Sequence, residues 1–333
     1  MDFTFLLAGW LGKPIWMWLA FFAIVIALLI FDLGVLHRKQ HEIGVSESLK
    51  LSAFYIVFGL GYGVWVWLYI GEEAGINYVT GFVVEKSLAM DNIFVIATIF
   101  TYFSVPRRYQ HRVLFWGILG VIVLRGIMIG AGAALVTHFE WVLYIFAGFL
   151  IFTGIRMLFM DDEERPLADN PLIKFLRRHF RVTDKFHGSQ FFIREKQKKT
   201  GRMVLHMTPL LTALILIEIA DVIFAVDSVP AIFAITTDPF IVYTSNIFAI
   251  LGLRALYFTL SAMQERFVYL KYALAAVLIF IGAKVFVADM MEIVAISPLW
   301  SLLITLIILM CGVVLSLRKT RVGCAPKAER PID

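Results

Sequence analysis

The sequence predicts an all-α, polytopic membrane protein of about nine transmembrane helices, organised as an inverted three-plus-three helix repeat with helices interrupted at the membrane midplane. Three observations lead there. The 333 residues are 60% hydrophobic and 17% charged, with a mean hydropathy of +0.84, whereas a soluble domain is roughly 45–50% apolar. Apolar windows of about 20 residues, enough to cross a bilayer, recur along the whole chain. Two blocks of three windows also repeat one another, and each block carries carboxylates inside an apolar segment.

The windows fall at roughly 15–36, 50–70, 79–103, 112–136, 140–160, 207–234, 240–263, 267–289 and 297–317. Met1 to Phe31 has neither a basic start nor an A-x-A-like processing site, so no cleavable signal is expected. The connections set the orientation. Arg38, Lys39, Arg107, Arg108, Arg112, the basic stretch 161–206, Arg266, Arg318, Lys319 and Arg321 all fall on one side. The other side has Lys13 together with Glu72, Glu73, Glu140, Asp238, Asp289 and Glu292. The positive-inside rule then puts the N-terminus outside and the C-terminus in the cytoplasm of a bacterial inner membrane, which requires an odd number of spans. The formal charge of +5 follows from this topology, and membrane lipid rather than nucleic acid is the expected surroundings.

The expected organisation is two N-terminal helices (1–78), a first three-helix unit (79–160), a basic cytoplasmic loop (161–206), a second, inverted unit (207–290), and a last helix with a tail (291–333). Within the loop, Leu172, Phe175, Leu176 and Phe180 with Arg and Lys between them read either as a basic amphipathic helix on the membrane surface or as a solvated linker. Residues 190–194 and 203–205 flank Thr200-Gly201 and have the pattern of a hairpin.

The duplication rests on specific alignments. Glu85 and Asp91 match Asp221 and Asp227, and Leu124-Arg125-Gly126 matches Leu253-Arg254-Ala255. Phe139, Tyr144, Ala147, Leu150, Ile151, Phe152 and Gly154 recur without a gap as Phe267, Tyr272, Ala275, Leu278, Ile279, Phe280 and Gly282, and Arg156 falls opposite Lys284. Three spans per unit reverse the second copy in the membrane. Secondary transporters use this plan, with the substrate site near the midplane between the copies.

Five acids lie inside spans: Glu85, Asp91, Glu218, Asp221 and Asp227. An ionisable group at a helix centre costs at least ~2.5 kcal/mol in the bilayer, so such groups mark an ion path, a proton relay or a buried pair. On a straight helix Glu85 and Asp91 are about 120° apart, and Glu218 and Asp227 about 180° apart. Converging on one site requires a break. Pro230 is the candidate, because it removes the donor to the Val226 carbonyl.

With Asn92 and Ser228 in support, these acids form an all-oxygen donor set suited to a hard divalent cation. None of the seven histidines lies deep in a span, and the two cysteines, Cys311 and Cys324, form no zinc or disulfide pattern. Met90 could add a thioether that favours manganese, or simply pack. Lys86, Arg125 and Arg254 are candidate counter-charges that neutralise the empty site and yield to an incoming cation. Mutual repulsion among the acids motivates proton-coupled antiport. The structural alternative is that the charges are buried pairs fixing helix register. For Arg156, Lys284, Asp32 and Lys271 an interfacial position is expected.

The segments Glu85-Lys-Ser-Leu-Ala-Met-Asp-Asn-Ile-Phe-Val95, Tyr102-Phe-Ser-Val-Pro106, Glu218-Ile-Ala-Asp-Val-Ile-Phe-Ala-Val-Asp-Ser-Val-Pro-Ala231, Thr236-Thr-Asp-Pro-Phe240 and Ser245-Asn-Ile-Phe-Ala-Ile-Leu-Gly-Leu-Arg-Ala255 resemble the TerC family of bacterial membrane proteins, within it the Alx branch, from about residue 15 to 317. The resemblance implies a manganese exporter of the LysE-like superfamily, linked to alkaline pH response and historically to tellurite resistance, and puts metal-site roles on Glu85, Asp91, Glu218, Asp221 and Asp227. It implies no enzyme activity and no resident cofactor, Mn²⁺ being the transported substrate. Two other readings remain open: a LysE-like exporter of a small organic cation or amino acid, and a membrane scaffold for stress response.

Overall fold

The computed structural model describes residues 7–34, 45–139, 141–159, 182–183, 186, 188–196, 203–260, 269–290 and 297–323. The helices are α1 (Ile15–Gly34), α2 (Val45–Ile70), α3 (Glu72–Tyr102), α4 (Arg107–His138), α5 (Val142–Phe159), α6 (Pro209–Phe233), α7 (Pro239–Leu251), α8 (Leu253–Leu260), α9 (Leu270–Met290) and α10 (Pro298–Gly323). Short strands β1 (Gly9–Trp10) and β2 (Lys13–Pro14) pair ahead of α1. The hairpin expected in the long loop is present as β3 (Phe192–Lys196) antiparallel to β4 (Met203–Met207). The amphipathic segment 172–180 lies outside the described residues, as does the tail from Cys324 onward.

Among the described residues, eight stretches are long and apolar enough to cross a membrane, α7 and α8 together counting as one. The ninth span is α3, whose 31 residues rise about 46 Å but include Glu85, Lys86 and Asp91. The outward surface is apolar where a soluble protein would be polar: Ile26, Val57, Leu68, Ile127, Phe152, Ile307 and Met310 are all exposed. A surface of this kind suits lipid contact, not water. Aromatic residues cluster around the start of α1 and the end of α2, where Trp16 meets Tyr69 edge-on at 5.4 Å and Trp18 donates to the Trp10 carbonyl at 3.0 Å. Such clusters belong at the membrane–water boundary. Gly71 is the single residue between α2 and α3 and has φ 137°, which L side chains rarely adopt.

The span formed by α7 and α8 is the most enclosed, with 94% of its residues buried. It packs against α2, α3 and α4. Its break lies at Gly252, where α7 ends and α8 begins. The expected interruption at Pro230 is not found there: α6 continues through Pro230 to Phe233. The physical reason is position. Pro230 lies in the last turn, so its ring removes one N–H bond near a helix end, and its own carbonyl still accepts from Ala234 at 2.9 Å. α3 is likewise continuous from Glu72 to Tyr102.

The two aligned units meet reciprocally. A Cβ at Gly154 on α5 would meet the Ala275 carbonyl of α9 at 2.8 Å and the Ile279 side chain at 2.6 Å. A Cβ at Gly282 on α9 would meet the Ala147 carbonyl of α5 at 2.6 Å and the Ile151 side chain at 2.9 Å. Each contact is the other with the aligned residues exchanged, as a two-fold relation imposes. α3 packs on α7 and α6 on α4, again a pair that exchanges under the alignment. Without a hydrophobic drive between helices in lipid, small residues permit the close backbone approach that holds them together. Gly154→Val and Gly282→Val are therefore expected to destabilise the fold by similar amounts, about 1–3 kcal/mol each from overpacking. Thermal unfolding of the purified variants in detergent checks this, and a large difference between them would contradict the reciprocity.

Candidate functional site

Arg125, halfway along α4, is the largest fully buried side chain, with a relative exposure of 1%. An unpaired guanidinium there would be prohibitive, and four polar partners gather around it. Its Nε donates to Asp221 Oδ2 at 3.2 Å and its Nη2 to Asp221 Oδ1 at 3.1 Å, a two-pronged pair with α6. Its Nη1 donates to Glu85 Oε1 of α3, to Ser228 Oγ of α6 at 2.9 Å and to Asn246 Oδ1 of α7 at 3.3 Å. Helical phase explains the set. Asp221 and Ser228 are seven residues apart, about 20° on the helical wheel, so both face α4. Glu85 and Asn92 on α3 have the same spacing. Asn92 is buried and helps line a mainly apolar cavity of about 40 Å³ with Arg125, Asp221 and Arg254. That volume admits a bare ion or a few water centres.

The cluster is not fully satisfied. One guanidinium serves two carboxylates, so with both ionised a formal negative charge remains. Glu85 Oε2 and Asn246 Nδ2 are buried with no hydrogen-bond partner among the described residues. A buried polar atom without a partner costs about 1–3 kcal/mol, which a water, a proton or a cation would relieve.

The remaining candidates lie elsewhere. Glu218 rests against α4, where a Cβ on Gly120 would overlap its carboxylate, and its Oε2 has no partner among the described residues. Asp227 faces α5, accepting from Thr153 Oγ1 at 3.2 Å with Arg156 in electrostatic reach. Asp227 is about 120° round α6 from Asp221, so a straight helix turns it to a different neighbour. α6 runs unbroken through Pro230, so no interruption brings the three acids together. Asp91 lies on α3, but its side chain is outside the described set. Among the described residues no three His, Cys, Asp or Glu side chains come together to hold a metal ion.

Two of the three expected counter-charges serve other groups. Lys86 donates to the Ala249 carbonyl at 2.8 Å, near the end of α7. There a cation satisfies a carbonyl beside the helix break and complements the negative end of the dipole. Arg254, on α8, donates to Asp32 of α1 at 2.5 Å. Asp32 is thus a buried ion-pair partner near the end of α1. Its place near the end of the first apolar window hid this, because α1 lies outside the repeat. Asn246 was the other omission, and its signal was an amide inside an otherwise apolar span.

Residues 70–323 match the integral membrane protein TerC family. The chain belongs to the TerC family. A Myxococcus xanthus relative described as an uncharacterized membrane protein is 45% identical over 320 residues, covering 96% of this chain and 97% of its own. A Rickettsia bellii relative of like description is 44% identical over 296 residues, covering 89% and 95%. The Escherichia coli K12 relative, named "Putative membrane-bound redox modulator Alx", is 46% identical over 287 residues, covering 84% and 87%. No solved structure matches the chain. The span carrying Arg125 is part of an integral, multi-pass membrane protein.

Removing Arg125 strands the buried carboxylate of Glu85 and the partly buried one of Asp221, and breaking a buried pair costs about 3–5 kcal/mol. Arg125→Leu is expected to lower the unfolding temperature in detergent sharply. The triple change Arg125→Leu, Glu85→Gln, Asp221→Asn is expected to recover most of the loss. A triple variant as unstable as the single one would mean that packing, not charge, dominates.

Proposed function

We propose that this TerC protein is a secondary transporter, not an enzyme, that exports divalent metal cations, Mn²⁺ above others, across the bacterial inner membrane, with the N-terminus outside and the C-terminus in the cytoplasm. The observation that carries this reading is the buried Arg125, which draws one carboxylate from each aligned unit, Glu85 and Asp221, and leaves Glu85 Oε2 without a partner among the described residues. In this reading the guanidinium holds the place of the cargo. An incoming cation competes with Arg125 for Glu85 and Asp221, with Asn92, Ser228 and Asn246 supplying neutral oxygens. The same competition is open to protons, which motivates antiport: protonated carboxylates release the metal and return to Arg125 when they ionise. Asp91, Glu218 and Asp227 are proposed to serve along the ion path. The preference for Mn²⁺ and the outward direction rest on the family resemblance, and the inward orientation of the basic connections on the positive-inside rule.

Intracellular manganese, magnesium, calcium and iron in cells with and without the protein test the cargo. Glu85→Gln and Asp221→Asn are expected to fold, to lose at least tenfold in Mn²⁺ efflux and to raise cell manganese to the level without the protein. Normal metal content in both variants sinks the proposal, and a loss of amino-acid efflux alone transfers the role to the LysE-like reading. In proteoliposomes, Mn²⁺ flux is expected to follow an imposed pH gradient. Flux indifferent to that gradient removes proton coupling while leaving transport.

A further inference from the structure

At the end of the bundle opposite the hairpin there is a second cavity, of about 300 Å³. Glu73 and Asn77 from the first turns of α3 line it, with Thr236 and Thr237 beyond the end of α6, and Phe233 and Val285 among its apolar walls. Phe233 is six residues past Asp227, about 9 Å of helical rise. We infer that this vestibule binds a hydrated divalent cation, as a site separate from the Arg125 cluster. The inference rests on the divalent-cation reading above and gives that path an outer station.

Four features of the cavity point to a cation. Its polar donors are oxygens: the Glu73 carboxylate, the Asn77 amide oxygen and two threonines, the set that hard divalent ions take. Asn77 is only 8% exposed, and its amide, which faces the cavity, has no hydrogen-bond partner among the described residues. An amide turned into a cavity in this way is free to bind what enters it. The vestibule also receives the C-terminal end of α6, where the helix dipole is negative.

Charge is the fourth feature. Lys13, the one basic residue in the connections at this end, is bound to Asp238 at 3.0 Å. Glu73 has no ion-pair partner among the described residues, and Lys284, next in sequence to Val285, is not part of the wall. Glu72, beside Glu73 in the first turn of α3, adds a second carboxylate at this end, and paired acids concentrate cations from solution. Size sets the hydration state. A cavity of about 300 Å³ leaves room for an ion with most of its shell, whereas the one of about 40 Å³ beside Arg125 demands that most of it be shed.

Equilibrium dialysis of Mn²⁺ against the detergent-purified full-length chain tests the site. Wild type is expected to show two classes of binding. Glu73→Gln should weaken one class about tenfold and leave the other, Asn77→Asp should tighten that same class, and Glu73→Asp should restore it, which separates ligand loss from misfolding. Asp221→Asn should remove only the other class. An isotherm for Glu73→Gln that superposes on wild type overturns the vestibule. Binding that depends on Glu73 but nowhere on Asp221 keeps the vestibule and sinks the central transport site.

Discussion

The fold depends on one constraint: a guanidinium cannot sit alone in the middle of a membrane bundle. Arg125 gathers Glu85, Asp221, Ser228 and Asn246 from α3, α6 and α7, and in doing so ties α4 to three other helices. A buried ion pair is weak support for stability, because desolvation offsets most of its attraction. Its strength is in specifying arrangement. Rotating α6 by one residue would carry Asp221 about 100° away from the arginine and leave its carboxylate unpaired. The cluster therefore fixes register in a surrounding of Ile, Val, Leu and Phe that packs almost equally well in several registers. The unpartnered oxygen of Glu85 is the part of the arrangement that register does not require.

Close packing elsewhere takes over the work that hydrophobic burial does in water. Lipid tails are as apolar as leucine, so helices gain little from hiding leucine against each other, and contact depends on approach distance. Gly154 and Gly282 let α5 and α9 come within side-chain-free distance of each other's carbonyls. Gly120 makes room on α4 for the carboxylate of Glu218 in the same way. These glycines lie where the two aligned units meet each other, so the surfaces that relate the units are also the surfaces with least freedom to accept a larger side chain.

Much of this was legible in the sequence. Length and hydropathy located the spans because a bilayer imposes both, and the alignment marked the residues that the two units share. The acids marked α3 and α6 as polar. Their division into separate environments was less legible: Asp221, Glu218 and Asp227 point in three directions, and only the neighbouring helices decide what each direction meets. Thr153 could not be connected to Asp227, nor Asp32 to Arg254, because those pairs join helices far apart in the chain. Pro230 misled for a related reason. A proline marks a possible break, but its consequence depends on how much helix follows, and here three residues follow. The actual break, at Gly252, has no proline and shows only as a glycine in a span rich in larger residues.

The aligned arginines show how a repeated sequence can serve an asymmetric purpose. Arg125 and Arg254 occupy equivalent positions, yet Arg125 holds both Glu85 and Asp221, while Arg254 is held by Asp32 on α1. Perfect two-fold symmetry would give each arginine one of the two acids. Two features break it. α1 contributes Asp32, a carboxylate with no counterpart among the repeated spans, and the second unit is divided at Gly252 just before Arg254, whereas α4 runs unbroken past Arg125. Lys86 sits at the same division, on the Ala249 carbonyl. A cation at the break, a carboxylate supplied from outside the repeat and a second arginine lining the same small cavity as the first together make the two units inequivalent at their most charged point. If the units exchanged roles, Arg254 would have to leave Asp32 to reach the central carboxylates.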